Sequence, residues 1–261
     1  MDDAVVGMDE AAIAMDGIRP KRGADGRLQP ILTLPGDTLD TTLAMQFSTV
    51  STTLLAAFSV LRAFAAGNAL SALIAVISGI GAGELFSGAF HWATDNYGSV
   101  RTPVVGFACA AFQGHHLAPW TISHRSFWNN VYKIANATMP LMLLALWLLR
   151  PAGAAFVATL LYTQLLAQEF HRWTHTPPKC LAVWQRRLQA AGVVLPVQEH
   201  VAHHRPPFDK HYCILFGGLN PILDAAPVHF WRRLEALVYR LNGQEPNSWS
   251  DPRVKQVALS L

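Results

Sequence analysis

Four apolar stretches constrain the fold of this chain more than any other feature of its sequence. They cover residues 44–61, 69–90, 131–149 and 152–168. A helix needs about 20 mostly apolar residues to cross a bilayer, and an open sheet edge is not tolerated in hydrocarbon. We therefore expect an all-α integral membrane bundle with about four transmembrane helices. For the first and third stretches, a buried helix of a soluble protein is the alternative.

The composition agrees with a membrane protein and excludes several other classes. Hydrophobic residues make up 51% of the chain and charged residues 14%, whereas about 25% are charged in ordinary soluble domains. The net charge of +3 is small and no basic stripe is interleaved with aromatic residues, so we expect no nucleic-acid partner. The 3 cysteines form no CxxC pair, which argues against a disulfide framework and a thiolate zinc site.

The distribution of Lys and Arg predicts the orientation of the bundle. With four spans, the N-terminus, the 91–130 loop and everything after residue 168 lie on one side of the membrane. Of the 20 Lys and Arg residues, only Arg62 and Arg150 then fall on the other side. The positive-inside rule predicts that the shared side is cytoplasmic, or its stromal or matrix equivalent. All 11 histidines fall on this side, so we expect a histidine-rich cap there.

Residues 1–43 differ from the rest of the chain. They carry eight acidic residues, Gly and Pro breakers, and the basic residues Arg19, Lys21, Arg22 and Arg27. They lack the apolar core of a secretory signal and the Ser-rich, acid-poor character of a transit peptide. We therefore expect a disordered tail or an unusual targeting sequence at 1–43, followed by one membrane domain at 44–261.

Eight histidines fall into four short clusters that predict a metal centre. The clusters are His91, His115 with His116, His171 with His175, and His200 with His203 and His204. Imidazole is a good ligand for Fe, Zn, Cu and Ni. Because a structural zinc needs only four ligands, eight histidines at helical spacings indicate two metal ions.

The spacing inside each cluster predicts how its members divide between two metals. The two histidines of HRWTH lie one helical turn apart and can chelate a single ion. In HVAHH, the first and last histidines are placed to hold one metal, while the middle one leans toward a second. Adjacent residues are about 100° apart on a helix, so His115 and His116 serve different metals or lie in a loop.

The few carboxylates near these clusters narrow the choice of metal. They are Asp95, Glu169 and Glu199, whereas soluble di-iron bundles use Glu and ExxH motifs. The HExxH motif of zinc metalloproteases does not occur. A pair of irons bound mainly by histidine nitrogens fits these residues best. Such a pair can activate O2 to break an unactivated C–H bond, a reaction that needs a cofactor. Asp95, one turn after His91, is the candidate catalytic residue, either orienting an imidazole or ligating the metal itself.

Three further polar residues are candidates for supporting the ligands. Glu84 lies in an apolar stretch, on the same helix face as His91 and Asp95. An ionisable group inside a membrane is by default functional, and a hydrogen bond that aids helix packing is the equal alternative. His124 lies in a polar loop, and Asn220 lies in the turn-like segment GGLNPILD.

Two surface features allow more than one interpretation. Arg101, Arg125 and Lys133 are candidates for holding a lipid phosphate, with ordinary surface charge as the alternative. Apolar residues recur at helical spacing over 230–241, with arginines on the opposite side. This pattern predicts an amphipathic helix that lies in the membrane interface or packs against the cap.

Seven segments carry a resemblance to the lipid desaturase family, which includes plasmanylethanolamine desaturases and plastidial enzymes of the fatty acid desaturase 4 type. The segments are HWATDNYG (91–98), AAFQGHHLAPWTI (110–122), NNVYK (129–133), QEFHRWTH (168–175), HVAHHRPPF (200–208), YCILFGGLN (212–220) and PNSW (246–249). Together they extend over most of the chain. TPVVG, AAFQGHH, NNVYK and PNSW are more similar to the plastidial branch, and FWRRLE to the plasmanyl branch.

The resemblance implies an integral membrane, iron-dependent desaturase that acts on an intact phospholipid with O2 as co-substrate. The plastidial type introduces a trans double bond at the third carbon of a palmitoyl chain on phosphatidylglycerol. The plasmanyl type forms the vinyl ether of plasmalogens. The resemblance assigns the ligand role to all eight clustered histidines. It also implies two irons and an external electron donor, ferredoxin in a plastid or cytochrome b5 elsewhere.

We therefore expect a phospholipid acyl desaturase of the plastidial type. The alternatives are vinyl-ether formation, hydroxylation by the same oxidant, and a non-enzymatic membrane protein that binds zinc or haem. The chain opens with MDDAVVGMDE, whereas a plastidial protein starts with a basic, Ser-rich segment. A plastid membrane, the endoplasmic reticulum and a bacterial membrane are therefore all open as locations.

Overall fold

The described part of the protein is mostly helical. The computed structural model describes residues 21–32, 34 and 36–261. Within these residues, the only pairing of extended chain is one isolated antiparallel bridge between Arg22 and Leu28. The predicted all-α membrane bundle with a histidine-rich cap is confirmed. The first 20 residues of the predicted tail lie outside the described residues.

Long helices form the bundle and short helices form the cap. The long helices are α1 (Leu43–Ala65), α2 (Ala69–Asn96), α4 (Phe127–Leu148) and α5 (Pro151–His175). The short helices are α3 (Gly106–His115), α6 (Val183–Ala190), α7 (Val197–His203), α8 (Asn220–Leu223), α9 (Phe230–Asn242) and α10 (Pro252–Leu259), with single 3-10 turns at Pro119–His124, Pro178–Cys180 and Asn247–Ser250.

Capping residues define where the long helices begin. The side chains of Thr42, Asn68 and Ser126 each accept a hydrogen bond from a backbone N–H in the first turn of α1, α2 and α4. Pro151 starts α5, where the missing N–H of proline leaves no donor unsatisfied. Only residues 66–68 separate α1 from α2, and only 149–150 separate α4 from α5. Such short connections make the joined helices antiparallel neighbours.

Three of the long helices are apolar enough to cross a membrane. By length and composition these are α1, α2 and α4, with mean hydropathies of 1.4, 1.8 and 1.4. The predicted fourth span corresponds to the 25-residue helix α5, and the count of four spans stays a prediction. Helix α5 packs against α1, α2 and α4, and small residues such as Ala154, Ala155 and Ala158 are buried there. A helix surrounded by protein needs fewer apolar residues than one facing lipid. This explains why α5 is less apolar than α1, α2 and α4.

Close packing between α2 and α5 sets the relative position of the two helices. A Cβ atom added to Gly79 would lie 2.9 Å from the Cβ of Thr159, and one added to Gly83 would lie 2.0 Å from the Oγ1 of Thr163. Small residues allow helix backbones in membranes to approach this closely. The approach places the ends of α2 and α5 side by side in the cap.

The segment from residue 21 to α1 contacts the region before α4. The indole N–H of Trp120 donates to the Gln29 carbonyl at 2.9 Å, and the Ile31 N–H donates to Thr121 Oγ1 at 3.0 Å. The Arg27 guanidinium donates to the carbonyl of Ser123 at 3.1 Å. This part of the predicted tail therefore has defined contacts. The prediction for 1–43 as a whole, disorder or targeting, stays a prediction.

Helix α9 packs against the cap rather than standing apart from it. Trp231, Glu235 and Ala236 are buried, and the Trp231 ring stacks on the Trp92 ring of α2 with centroids 6.0 Å apart. On the outer side, Leu237 and Leu241 are exposed. The sequence predicts that this helix lies in the membrane interface or packs against the cap. The inner face of α9 packs against the cap.

Candidate metal centre

Four chain segments bring all eight clustered histidines and Asp95 together. Their donor atoms form two groups, and within each group all donor atoms lie within 4.8 Å of one another. Group 1 contains His115, His171, His175, His200 and His204, and group 2 contains His91, Asp95, His116 and His203. The members come from α2, the end of α3, the last turns of α5, and α7 with the residue that follows it.

Group 1 is a cage of five imidazole nitrogens. Five Nε2–Nε2 distances within this group lie between 2.8 and 3.2 Å. They are 2.9 Å for His115–His175, 3.0 Å for His115–His171, 3.2 Å for His171–His175, 2.8 Å for His175–His200 and 2.9 Å for His200–His204. With a metal–nitrogen bond of about 2.1 Å, adjacent ligands of an octahedral site lie about 3.0 Å apart. The observed separations therefore match the edges of a first-row metal coordination sphere.

Group 2 is built around a carboxylate. The Oδ2 atom of Asp95 lies 3.3 Å from His91 Nε2, 3.1 Å from His116 Nε2 and 3.3 Å from His203 Nε2. These three nitrogens and both carboxylate oxygens are buried, and none has a hydrogen-bond partner among the described residues. Buried polar atoms are nearly always satisfied. A metal ion between them would satisfy the group, so the residues present fit a metal.

The two groups are neighbours. His203 of group 2 and His204 of group 1 have ring centroids 5.5 Å apart, and the rings of His116 and His204 are 4.8 Å apart. Residues adjacent in sequence thus belong to different groups, both in His115–His116 and in His203–His204. The arrangement has the form of a binuclear site.

Backbone carbonyls fix the ring orientation of two histidines in group 2. His91 Nδ1 lies 3.0 Å from the Tyr212 carbonyl oxygen, and His203 Nδ1 lies 2.8 Å from the Lys210 carbonyl oxygen. A carbonyl only accepts, so Nδ1 carries the proton and donates it. The Nε2 lone pair is then free to bind a metal, which is the usual outer-shell arrangement for ligating histidines.

Burial keeps the imidazoles of group 1 neutral. The pKa of His115 and that of His200 are held well below the usual value by burial first and by neighbouring imidazoles second. The pKa of His204 is lowered for the same reasons. Neutral imidazole is the form that ligates metals, so these side chains need not lose a proton before binding one near neutral pH.

The chain matches the model of the lipid desaturase domain over residues 80–249. That region contains both histidine groups.

The chain belongs to the lipid desaturase family.

Relatives of the chain include desaturases of a plant and of an animal. Over 205 residues it is 38% identical to fatty acid desaturase 4-like 1, chloroplastic, of Arabidopsis thaliana, covering 77% of this chain and 69% of the relative. It is 38% identical over 195 residues to fatty acid desaturase 4, chloroplastic, of the same plant, covering 74% and 60%. Plasmanylethanolamine desaturase 1 of Mus musculus is 32% identical over 188 residues, covering 67% and 68%. No solved structure matches the chain significantly.

Membership of this family defines the general activity. Desaturation removes two hydrogens from a carbon chain, so this lipid desaturase is an oxidoreductase of lipid metabolism. The apolar helices agree with a membrane protein, and the histidine groups are suited to binding metal.

The side chains of Glu84 and Asn220 hold the segment that contacts His91. Glu84 Oε2 accepts hydrogen bonds from the backbone N–H of Leu215 at 3.2 Å and of Phe216 at 3.1 Å. Asn220 accepts from the Cys213 N–H at 2.9 Å and donates to the Cys213 carbonyl at 3.1 Å. Cys213 follows Tyr212, whose carbonyl contacts His91, so both side chains hold the backbone on the C-terminal side of this contact.

The structure places the other sequence candidates outside the two groups. His124 Nε2 donates to the Leu28 carbonyl at 2.8 Å and thereby contacts the N-terminal segment. Arg125 forms an ion pair with Asp37, and Lys133 Nζ lies 3.8 Å from the same carboxylate. Arg125 and Lys133 thus already have an acidic neighbour.

The sequence alone did not reveal the roles of several supporting residues. Tyr212 and Lys210 act through backbone carbonyls, which every residue has, so no sequence signal marks them. Glu169 accepts from Asn130 at 3.0 Å and from the Trp173 indole at 2.7 Å, and it forms an ion pair with Arg172. This network joins α4 to the end of α5 beside the histidines of HRWTH. For Glu169, the one available signal was its position as a carboxylate inside a histidine-bearing motif.

Proposed function

We propose that the protein is a membrane phospholipid desaturase whose two histidine groups each hold one iron. Its reaction would introduce a trans double bond near the headgroup end of an acyl chain, at the third carbon of palmitoyl phosphatidylglycerol. The observation that carries this proposal is the division of nine donor atoms into two adjacent groups within a domain matching the lipid desaturase model.

The donor sets support iron as the metal in both groups. Nitrogen donors with one carboxylate suit a redox-active first-row ion, and no thiolate takes part in either group. When bound, the two irons would activate O2, the oxidant, for attack on an unactivated C–H bond. In the overall reaction, two C–H bonds break and O2 becomes two waters. Two further electrons come from ferredoxin or cytochrome b5, and two further protons come from solvent.

The residues of the chain orient the ligands and exclude water. The Tyr212 and Lys210 carbonyls hold the protons of His91 and His203 at Nδ1, away from the metal side. Aromatic rings close the site, since the Phe112 ring lies 5.0 Å from that of His91 and the Phe208 ring lies 4.4 Å from that of His116. Exclusion of water protects a reactive oxidant from side reactions.

The position of the ligands along the helices supports reaction near the headgroup. His91 and Asp95 lie in the last two turns of α2, which ends at Asn96, and His175 is the last residue of α5. Both helices end in the cap, which would put the groups at the level where a bilayer gives way to water. Carbons close to the headgroup reach this level more easily than the methyl end of a chain does.

The relatives favour an acyl substrate and leave one second candidate. Identity is 38% to the chloroplastic fatty acid desaturases and 32% to the mouse plasmanylethanolamine desaturase. Formation of a plasmalogen vinyl ether is therefore the second candidate function. A plastid membrane is the first choice of location, with the endoplasmic reticulum and a bacterial membrane as alternatives.

Expression in a host that lacks both activities tests the proposal. Lipid analysis should reveal trans-hexadecenoyl phosphatidylglycerol, and metal analysis should reveal about two irons per chain. An acid-labile vinyl ether would select the second candidate, and a hydroxylated chain would replace desaturation with hydroxylation. One zinc per chain or a haem absorbance band would contradict catalysis by a pair of irons.

A matched set of histidine variants tests the ligand assignment in the same host. His171→Ala and His204→Ala should each abolish the product while the protein stays in the membrane. His229→Asn is the control, because His229 belongs to neither group and asparagine tolerates its positive φ of 44°. Activity retained in both ligand variants would contradict the assignment.

A further inference from the structure

The segment that precedes α3 exposes apolar side chains in the cap. Val104 is 103% exposed, Val100 46%, Phe107 40% and Val105 38%. Val104 also has a φ of 67°, a conformation that β-branched residues rarely adopt. The fold therefore turns a large apolar side chain fully outward in spite of its local backbone preference. A cluster of exposed apolar residues marks a contact with a protein or with a membrane.

The charge pattern of this region favours a membrane. From residue 102 to residue 124 the chain carries no Asp, Glu, Lys or Arg, although basic residues are frequent elsewhere on the cap side. Helix α3 has 10 residues and is therefore about 15 Å long. It is too short to span a bilayer. A short, uncharged helix with an apolar approach segment is suited to the interface between headgroups and hydrocarbon.

A contact with α4 gives the depth of the segment. The ammonium group of Lys133 lies 3.3 Å from the centroid of the Phe107 ring, a cation–π arrangement. Lys133 is in the second turn of α4, which begins at Phe127, so it lies about 9 Å along a candidate membrane span. Phe107 therefore contacts a residue near the start of a candidate membrane span.

We propose that residues 100–107 and the exposed side of α3 insert into the membrane leaflet on the side of group 1 and group 2. Lipid acyl chains would then cover this apolar surface. Lys133 extends its ammonium group toward Asp37, 3.8 Å away, as long cationic side chains do near the ends of membrane helices. Because α3 ends at His115, the insertion would hold His115 and His116 at the depth of the lipid headgroups.

Fluorescence quenching in reconstituted vesicles tests this insertion. Cys109 and Cys213 are buried and Cys180 is exposed, so a Cys180→Ser background leaves no accessible native thiol. A single cysteine at Val104 receives an environment-sensitive dye in the full-length protein, in phosphatidylglycerol–phosphatidylcholine vesicles. Phe47→Cys, 75% exposed on α1, serves as the lipid reference. Arg253→Cys, whose side chain is 88% exposed on α10, serves as the water reference.

The expected result is strong quenching of the Val104 dye by a nitroxide placed high on a lipid chain, at the level of the Phe47 dye. Quenching by aqueous iodide should be severalfold weaker at Val104 than at Arg253. Equal iodide quenching at Val104 and Arg253 would overturn the proposal. Val100→Cys reports on the same segment if the Val104 variant does not accumulate. The readout requires no turnover, so its failure is distinguishable from failure of the proposed function.

Discussion

The Nδ1 atom of His91 lies 3.0 Å from the carbonyl oxygen of Tyr212, a residue 121 positions further along the chain. This hydrogen bond joins helix α2 to the segment after α7. It sets the tautomer of a group 2 histidine, so the metal-binding geometry of α2 depends on a backbone segment that Glu84 and Asn220 hold in place.

Replacing adjacent histidines should remove different metals. His203 belongs to group 2 and His204 to group 1. Because group 2 has only four donors, His203→Ala should reduce the iron content from about two to about one per chain. His204→Ala leaves four nitrogens in group 1 and should lower the metal affinity there with a smaller loss of metal. Iron analysis after dialysis against a chelator measures both. Loss of both irons from either single variant would argue against two separate groups.

Asn220 should tune metal affinity without touching the metal. Asn220→Ala removes both hydrogen bonds to the Cys213 backbone, which frees the neighbouring Tyr212 carbonyl. Loss of an outer-shell partner lowers metal affinity about 10–100-fold, and we expect iron release to a chelator to change by that factor. Asn242→Ala, an exposed position on α9, is the control. Unchanged iron release in Asn220→Ala would remove this residue from the positioning network.

Glu84 should stabilise the fold through its oxygen atoms rather than its charge. Glu84→Gln keeps an acceptor for the Leu215 and Phe216 N–H groups, so its stability should stay close to that of the unmodified protein. Glu84→Ala leaves both buried donors without a partner, at a cost of about 1–3 kcal/mol each. Thermal unfolding of the purified protein in detergent compares the two. A large loss in Glu84→Gln would indicate that the negative charge is needed.

Two glycines on the same helix should respond oppositely to alanine. At Gly83 the added Cβ would lie 2.0 Å from Thr163 Oγ1, and at Gly81 it would meet nothing within 4 Å. Gly83→Ala should therefore cost about 1–3 kcal/mol of stability through overpacking. Gly81→Ala should be neutral or stabilising by up to about 1 kcal/mol, because alanine favours helix. Unfolding temperatures of the two variants check this. Equal unfolding temperatures would show that the contact between α2 and α5 accommodates the added methyl group without loss of stability.

The sequence predicted best those features that depend on residues close together in the chain. Helix periodicity places the two histidines of HRWTH on one face, and the structure brings both into group 1. It was less informative for α5, whose small and polar residues reflect burial against three helices rather than exposure to lipid. For Asp95 the spacing left two roles open, and the structure places its carboxylate among three imidazoles.

By itself, the sequence determined the helical membrane character of the chain and the supply of nitrogen donors, because apolar length and i, i+4 spacing follow from helix geometry alone. Only the tertiary structure decided which donors share a group and which carbonyls orient them. Those relationships join segments that are far apart in the chain, such as α2 and the residues around Tyr212. They also involve backbone atoms, which are the same in every residue and so leave no trace in the sequence.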